Sequence, residues 1–181
     1  MNSKVEIHHF QPTRFVPNNK LPVLVYRDVL PRPHNEGSAE ELPDKNHWKK
    51  GGTWRAVPRH HFHPNTHECY AVFQGHSTLN VGRGPLDAVD DGGGLIHLSA
   101  GDAIVLPAGV SHCSVQSSDD YRYIGVYPEG SPRWKNEYCK DVARAEILQE
   151  EASNAPLPSN DPFKGIDGPL MKFWQENTGC A

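Results

Sequence analysis

Between Thr53 and Tyr127 the sequence is a succession of short apolar segments separated by turn residues. The segments are rich in Val, Ile and Tyr, which favour pleated strands. Sixteen Gly and sixteen Pro in 181 residues supply the many turns that such strands need. The longest break, Gly82 to Gly94, contains five Gly and predicts a hairpin loop between strands near Ser77 to Val81 and Leu95 to Ser99. The pattern predicts an all-β fold, an antiparallel barrel or sandwich.

The N-terminal part adds two predicted strands and one predicted helix. Val5 to Phe10 and Leu21 to Leu30 have strand composition, and both are expected to be edge or wrapping strands. Ser38 to Trp48 is predicted to form a short helix that begins at Ser38, with Glu41 at the capping-box position.

The C-terminal part is predicted to contain a short helix and an irregular tail. Lys140 to Ala152 has helix-forming composition, and Pro156 to Gly168 is rich in turn residues. Three residues of the helix are spaced to share one face: Val142, Ala145 and Leu148. Three further apolar residues are expected to hold the tail against the barrel: Leu170, Phe173 and Trp174. The length predicts a single domain over residues 1–181, with a core of about 54–127, N-terminal strands in 1–53, and the helix and tail in 140–181.

Charge and composition exclude several classes of function. The formal charge is -4 and basic residues form no long run, so a nucleic-acid partner is not expected. No apolar stretch approaches the roughly 18 residues of a membrane span, and no signal-peptide pattern opens the chain, which favours a cytoplasmic protein without a membrane partner. The cysteines lack a C-x-x-C pattern, and most are expected to be reduced thiols. They are Cys69, Cys113, Cys139 and Cys180.

Four histidines fall within residues 60–67, and clusters of this kind usually mark a metal site or a titrating site. His61 and His63 are two residues apart, so on a strand they project from the same face and can present two imidazoles to one ion. Pro64 and Asn65 then turn the chain, and Glu68 can return on the next strand as an oxygen ligand. The segment therefore offers three ligands from one hairpin.

A fourth candidate ligand lies in the segment from Gly101 to His112. Asp102 to Leu106 has the composition of a strand, and Pro107-Ala108-Gly109 predicts a tight turn in which Gly109 takes a positive φ. His112 then opens the following strand, and a hairpin of this kind carries a histidine to the barrel interior.

The two segments together resemble the two motifs of the cupin superfamily. The first motif runs His-x-His, three or four residues, Glu, six residues, Gly, and the matching residues are His61, His63, Glu68 and Gly75. The second runs Gly, five residues, Pro-x-Gly, two residues, His, three residues, Asn, and the matching residues are Gly101, Pro107, Gly109 and His112. Two positions depart from the motifs, namely Arg55 in place of a Gly and Gln116 in place of the Asn. Three further segments resemble a branch of small, mostly uncharacterised single-domain cupins: 22–26, 123–128 and 161–170.

The resemblance implies a cupin-type antiparallel β-barrel, or jelly roll, that holds one divalent transition metal ion. The implied ligands are His61, His63, Glu68 and His112, with Glu68 favoured over its neighbour His67 by the motif spacing. Three imidazoles and one carboxylate suit Fe, Mn, Ni, Cu, Co or Zn. Cupins also often pair through their N-terminal strands, which favours a homodimer.

Cupins with this ligand set include dioxygenases, oxidases, decarboxylases and isomerases, so the resemblance favours an enzyme without choosing its reaction. The leading hypothesis is an oxygenase-type oxidoreductase, such as a dioxygenase, acting on a small oxygenated organic substrate. The alternatives are a non-oxidative isomerase or lyase that uses His67 or Tyr70 as acid or base, and a non-catalytic protein that binds a small molecule or a metal.

Strand alternation suggests further roles around the ligands. Tyr70 shares the parity of Glu68, while Ser114 and Gln116 share that of His112, so these three side chains are candidates for contact with substrate. Two other neighbours should point away from the site: His60 towards solvent and Cys113 into a buried apolar position.

Overall fold

The computed structural model describes residues 4–176. In chain order its elements are β1 (Val5–Phe10), β2 (Asn19–Tyr26), α1 (Glu36–Lys45), β3 (Trp48–Trp54), β4 (Glu68–Gln74), β5 (His76–Val81), β6 (Gly94–Ser99), β7 (Ala103–Leu106), β8 (His112–Ser117), β9 (Arg122–Pro128), α2 (Ala145–Ser153) and α3 (Pro169–Glu176). Strands dominate, as short β-branched segments separated by Gly and Pro require.

The strands form two antiparallel sheets. The large sheet has the order β1-β2-β7-β4-β9-β3, and the small sheet has the order β6-β5-β8. The hairpin loop predicted after Val81 joins β5 to β6, which pair in continuous register from His76 opposite Ser99 to Val81 opposite Gly94. The prediction of an all-β antiparallel jelly roll is therefore confirmed.

The central strands of the large sheet, β2, β7, β4 and β9, are buried on both faces, which explains why they lack a polar side. In β4, Cys69 and Ala71 belong to an outer apolar cluster that includes residues of α1 and α3. Tyr70 and Val72, which alternate with them, belong to an inner cluster shared with the small sheet. Glu68 has the parity of Tyr70, so strand alternation places its carboxylate between the two sheets.

Two N-terminal predictions need correction. Strand β2 is not an edge strand, because it pairs with β1 on one side and β7 on the other. Helix α1 begins at Glu36, and its N-cap is Asn35, whose side chain accepts a hydrogen bond from the Ser38 backbone N–H. Ser38 completes this capping box, since its hydroxyl oxygen accepts a hydrogen bond from the Asn35 backbone N–H. The capping box is therefore formed by Asn35 and Ser38, three residues earlier in the chain than the predicted pair Ser38 and Glu41.

The C-terminal part contains one more helix than predicted. Helix α2 begins only at Ala145, so Val142 precedes it and is exposed, whereas Leu148 is buried. Helix α3 begins at Pro169, a residue suited to the first helical position. Its buried residue Trp174 donates a hydrogen bond from Nε1 to the Pro22 carbonyl at 3.0 Å. Leu170 is also buried and Phe173 is partly buried, so the tail is held against the large sheet as expected.

A buried carboxylate ties the segment before α3 to the large sheet. Asp161 is fully buried and accepts a hydrogen bond of 2.6 Å from the hydroxyl of Tyr26 in β2. It also accepts backbone N–H bonds from Phe163, Lys164 and Leu170 at 2.8–3.0 Å. One side chain thus fixes a turn, a helix start and a strand.

Cys69, Cys113 and Cys139 are buried free thiols, while Cys180 lies outside the described residues. Burial raises the pKa of the Cys113 thiol, which disfavours the nucleophilic thiolate. Within residues 4–176, no helix has both the length and the apolar character needed to cross a membrane.

Candidate metal centre

Two chain segments bring the histidines together at one end of the barrel. His61 and His112 are direct antiparallel partners, linked by backbone bonds of 3.2 Å from His61 N to His112 O and 2.8 Å from His112 N to His61 O. His63 lies two residues further on, and its ring centroid is 5.3 Å from that of His61. In place of the predicted strand around His61, the structure has only isolated β-bridges at His61 and Phe62. The side chains still alternate as in a strand, because Phe62 faces away from the histidines into an apolar cluster.

The three imidazoles and one carboxylate converge. One nitrogen from each of His61, His63 and His112 lies within 4.8 Å of the other two. Glu68, the first residue of β4, places Oε2 at 2.9 Å from His63 Nε2 and 3.3 Å from His112 Nε2. All four side chains are at least nine-tenths buried.

Backbone carbonyls orient each of the three rings. The Nδ1 atoms of His61, His63 and His112 lie 2.9, 2.8 and 3.1 Å from the carbonyl oxygens of Arg59, Lys135 and Val110, respectively. A carbonyl oxygen only accepts hydrogen bonds, so each Nδ1 carries a proton and each Nε2 is directed at the common point. Metal-binding histidines are usually fixed in this way.

The site also contains a buried atom that a cation would satisfy. Nε2 of His112 is buried, and the Glu68 oxygen 3.3 Å away completes no hydrogen bond with it. Buried polar atoms are rarely left unpaired, because each costs about 1–3 kcal/mol. The ring orientation, this free nitrogen and the mixed nitrogen and oxygen donor set fit a divalent transition metal ion.

The electrostatics of the pocket favour neutral His61 and a charged pair of Glu68 with His63. Burial, assisted by neighbouring His112, lowers the pKa of His61 to about 3. Burial also opposes protonation of His63, but the Glu68 carboxylate outweighs it and raises the pKa of His63. Burial alone would raise the pKa of Glu68, yet the charge on His63 and the contacts with His63 and His112 lower it. The centre therefore stabilises positive charge beside Glu68.

Tyr127 in β9 positions the Glu68 carboxylate. Its hydroxyl donates a hydrogen bond of 2.5 Å to Oε1, the oxygen that does not contact the histidines. Burial, with Glu68 as a second cause, raises the pKa of Tyr127, so the hydroxyl keeps its proton and remains a donor. Tyr127 thus leaves Oε2 directed at the three imidazoles.

We expect Tyr127→Phe to weaken binding of a divalent metal by about tenfold, because loss of a hydrogen bond to a ligand typically costs 10–100-fold. The Phe ring keeps the stack on Trp134, whose centroid is 4.5 Å away. Competition titration against a chromophoric chelator measures the change. Tyr138→Phe is the matched control, since no hydrogen bond joins Tyr138 to Glu68, and equal affinities for both variants and the unmodified chain would contradict this role of Tyr127.

His61, His63 and Glu68 of the centre form the floor of a cavity of about 240 Å³. The cavity is lined by Trp54, Val57, Arg59, His61, His63, Glu68, Tyr70, Tyr123, Tyr127, Trp134, Asn136 and Tyr138. Arg59 and Asn136 are exposed, whereas Glu68 and Tyr70 are buried, so the cavity runs from the surface down to the carboxylate. A small molecule can therefore reach the imidazoles of His61 and His63.

Of the two predicted acid–base residues, only Tyr70 lines this cavity. His67 is on the outer face of the large sheet, where its ring centroid is 4.6 Å from that of Trp174. Its Nδ1 accepts a hydrogen bond of 3.0 Å from the Ala108 backbone N–H, and burial lowers its pKa to about 4. The prediction that His67 acts in the site is corrected, because adjacent residues of a strand face opposite sides and His67 adjoins Glu68.

The two predicted substrate contacts also lie outside the cavity lining. Gln116 is exposed, because a register shift in the β5–β8 pairing sets Thr78 opposite Gln116 and Leu79 opposite Ser114. The extra residue, Val115, is a bulge that breaks the alternation on which the prediction rested. Ser114 is buried but pairs with the Val57 backbone, at 3.3 Å from Val57 N to its Oγ. It supports the cavity wall rather than lining it.

His60 lies outside the cavity lining, but it is partly buried rather than directed at solvent, since its Nδ1 lies 3.0 Å from the Arg83 carbonyl oxygen.

Several residues of the site have no signal in the two motifs. The loop 133–138 forms one wall and is tied down by Asn65, which donates to the Arg133 carbonyl and accepts from the Lys135 N–H. Gly125 leaves space for the site, since a Cβ there would approach Trp54 within 2.5 Å and Glu68 Oε1 within 3.0 Å. From sequence alone, only the even spacing of Tyr123 and Tyr127 along β9, which places both side chains on one face, could have indicated residues of the cavity wall.

The fold and the site together define a cupin: two antiparallel sheets enclose the two His/Glu motif segments, and those segments meet at one end of the barrel. The chain is 30% identical over 175 residues to "Uncharacterized protein YjlB" of Bacillus subtilis (strain 168), covering 96% of this chain and 99% of YjlB. The chain therefore belongs to the family of YjlB. No protein-family model matches it.

Among solved structures, a single-residue variant of the oxalate decarboxylase of Bacillus subtilis is 14% identical, with a TM-score of 0.40 over 82% of this chain and 38% of that one. Procruciferin, an 11S globulin of Brassica napus, is 12% identical, with a TM-score of 0.37 over 75% of this chain and 33% of that one. BH2720 of Bacillus halodurans is 17% identical, with a TM-score of 0.36 over 64% and 96%. The chain thus spans about a third of the decarboxylase and globulin chains. Sequence identities and TM-scores of this size say nothing about activity.

Proposed function

We propose that this cupin is a metal-dependent enzyme of the oxygenase type that acts on a small oxygenated organic substrate. His61, His63, His112 and Glu68 would hold one Fe, Mn, Ni, Cu, Co or Zn ion. One observation carries the proposal: three imidazoles, each oriented by a carbonyl at Nδ1, converge with a carboxylate, and two of the rings and the carboxylate line a solvent-accessible cavity.

A bound ion of this kind supplies a Lewis acid and coordination positions for oxygen or a substrate oxygen. The chain's own residues do the rest. Tyr127 holds the Glu68 carboxylate in place, and Tyr70 and Tyr123, whose hydroxyl groups interact, form the inner wall. Burial raises the pKa of Tyr70 well above its usual value, so Tyr70 remains protonated and can donate to a substrate oxygen. The aromatic walls limit the water beside the centre.

We favour oxidative chemistry over an isomerase or lyase reaction because, among the described residues, the cavity wall holds an acid but no free side-chain base besides the four proposed ligands. Proton-transfer reactions need a free base near its working pKa. His67 was the candidate base, and it lies behind the sheet. Tyr70 stays protonated, which leaves it as an acid only. A lyase reaction that needs an acid but no separate base is therefore the second candidate.

Oxygen uptake separates the candidates. Protein reconstituted with Fe(II) or with Mn(II) would be screened against hydroxybenzoates, keto acids and dicarboxylates in an oxygen-electrode cell, with product analysis under air and under argon. Oxygen consumption stoichiometric with product, abolished in His61→Ala, supports the oxygenase. Equal amounts of product under air and under argon would support the lyase reaction instead. Tight binding of a compound with no turnover would favour a non-catalytic binding protein.

We further propose that residues 1–181 form one cupin domain and that the protein works in the cytoplasm without nucleic-acid or membrane partners. The described part of the chain supports the first proposal, because α1, α3 and the tail before α3 cover the same large sheet. The three buried free thiols are compatible with a reducing compartment.

A homodimer is proposed through β1, which pairs only with β2 among the described strands and forms one edge of the large sheet. Edge strands present unpaired backbone groups, and Ile7 adds an apolar side chain that is 41% exposed. Light scattering after size exclusion is expected to give twice the chain mass of 20.2 kDa. Ile7→Lys should shift the protein to the single-chain mass, whereas Leu95→Lys on the small sheet should not. A single-chain mass for the unmodified protein would rule the dimer out.

A further inference from the structure

The upper walls of the cavity are built almost entirely from aromatic rings. Trp134 stacks on Tyr127 with centroids 4.5 Å apart and planes inclined by only 6°. Trp54 meets the edge of Trp134 at 6.1 Å and lies 6.0 Å from Tyr123. Both indoles are only partly buried, so part of each ring faces open space. Such a surface suits a flat, apolar ring that can stack or meet it edge to face.

Among the described residues one arginine, Arg59, lines this cavity at its mouth, while Arg133 lies outside the lining, 4.9 Å from the centre of the Trp134 ring. The guanidinium carbon of Arg59 lies 3.4 Å from the centre of the Tyr138 ring, so the group is held flat against an aromatic face. Arg59 is exposed, and no carboxylate among the described residues pairs with it. Within residues 4–176, Arg59 is also the only basic side chain other than histidine that lines the cavity. A planar guanidinium with its donors free matches a carboxylate.

The size of the cavity limits what can occupy it. Its volume of about 240 Å³ lies below the roughly 300–1,000 Å³ of sites for drug-sized ligands. One ring with short substituents fits this space, and two fused or linked rings would extend into solvent.

We propose that the ligand of this cavity is a monocyclic aromatic carboxylate, with its ring against Trp54 and Trp134 and its carboxylate on Arg59. The proposal deepens the proposed function, since it names the substrate class of the same site. Recognition by the rings and by Arg59 does not itself depend on the ion. The ring contacts and the metal centre can therefore be tested separately.

The experiment measures binding by isothermal titration calorimetry and by quenching of tryptophan fluorescence, with metal-depleted and with Mn(II)-loaded protein. The probes are 2-hydroxybenzoate, cyclohexanecarboxylate, which lacks the flat ring, benzamide, which lacks the charge, and oxalate, which lacks the ring altogether. The Mn(II) content is measured first. The Arg59→Gln variant tests the cation, and Arg55→Gln is its control, because Arg55 is exposed in the same segment but does not line the cavity.

We expect 2-hydroxybenzoate to bind at least about tenfold more tightly than each of the other probes, and Arg59→Gln to lose about tenfold while Arg55→Gln loses nothing. A preference for oxalate or cyclohexanecarboxylate, or an unchanged affinity in Arg59→Gln, would overturn the proposal. If the ring preference persists but no Mn(II) is retained, the metal-dependent function fails and the ligand class stands. If Mn(II) is retained but no probe is preferred, the proposed ligand class fails and the metal-dependent function stands.

Discussion

His112→Ala and His61→Ala are each expected to lower the affinity for a divalent transition metal by at least about 100-fold. Loss of an outer-shell partner typically costs 10–100-fold, and these changes remove a direct donor from the cluster of nitrogens. Elemental analysis of protein purified without added metal measures the effect. The unmodified chain should retain close to one ion, and both variants should retain almost none.

His97→Ala is the matched control, because His97 is exposed on β6 in the small sheet and does not line the cavity. Circular dichroism should show folded protein for all three variants, since the rings of His61 and His112 contribute little to either apolar core cluster. Equal metal content in the unmodified chain, both site variants and the control would contradict the proposed centre.

Asp161→Ala is expected to destabilise the fold by about 3–5 kcal/mol, because each buried donor left without its acceptor costs about 1–3 kcal/mol. The change leaves four donors without their acceptor, three of them backbone N–H groups. It also frees the start of α3, which carries buried Trp174. Urea denaturation followed by tryptophan fluorescence measures the difference in unfolding free energy.

Asp167→Ala provides the comparison, because Asp167 lies in the same tail and is exposed. It should change stability by less than about 0.5 kcal/mol, as exposed surface substitutions usually do. A loss below about 1 kcal/mol in Asp161→Ala would show that the tail contributes little to holding the large sheet.

The sequence predicts the part of the fold that local rules determine. Period-two spacing identified the shared face of His61 and His63, and Pro107 with Gly109 identified the turn before His112, where Gly109 has a φ of +84°. The hairpin loop from Gly82 followed from its glycines. Each of these features depends on a few consecutive residues, so tertiary structure had little scope to change it.

Two of the failed predictions depended on an irregular strand or on distant contacts, and a third went against strand alternation. Gln116 was misplaced because the bulge at Val115 appears only once β8 pairs with β5. His67 was assigned to the site although it is adjacent to Glu68, and adjacent strand residues face opposite sides of a sheet. The start of α1 was misplaced because Asn35 and Ser38 are both good caps, and only the fold selects between them.

The aromatic wall was largely missed for a different reason. Trp134 and Tyr138 lie in the loop 133–138, which has no periodicity, and it reaches the site through hydrogen bonds of Asn65 and a bridge between Phe62 and Glu137. Contacts of this kind join residues about 70 positions apart in the chain. Nothing in the local sequence specifies them.

The most direct measurement is the anomalous diffraction map of crystals grown with Mn(II) or Zn(II). The proposed centre predicts one strong peak per chain, bonded to Nε2 of His61, His63 and His112 and to an oxygen of Glu68, at about 2.0–2.2 Å from each donor. A map with no peak between these side chains, or with the ion bound elsewhere while His63 stays paired with Glu68, would contradict it.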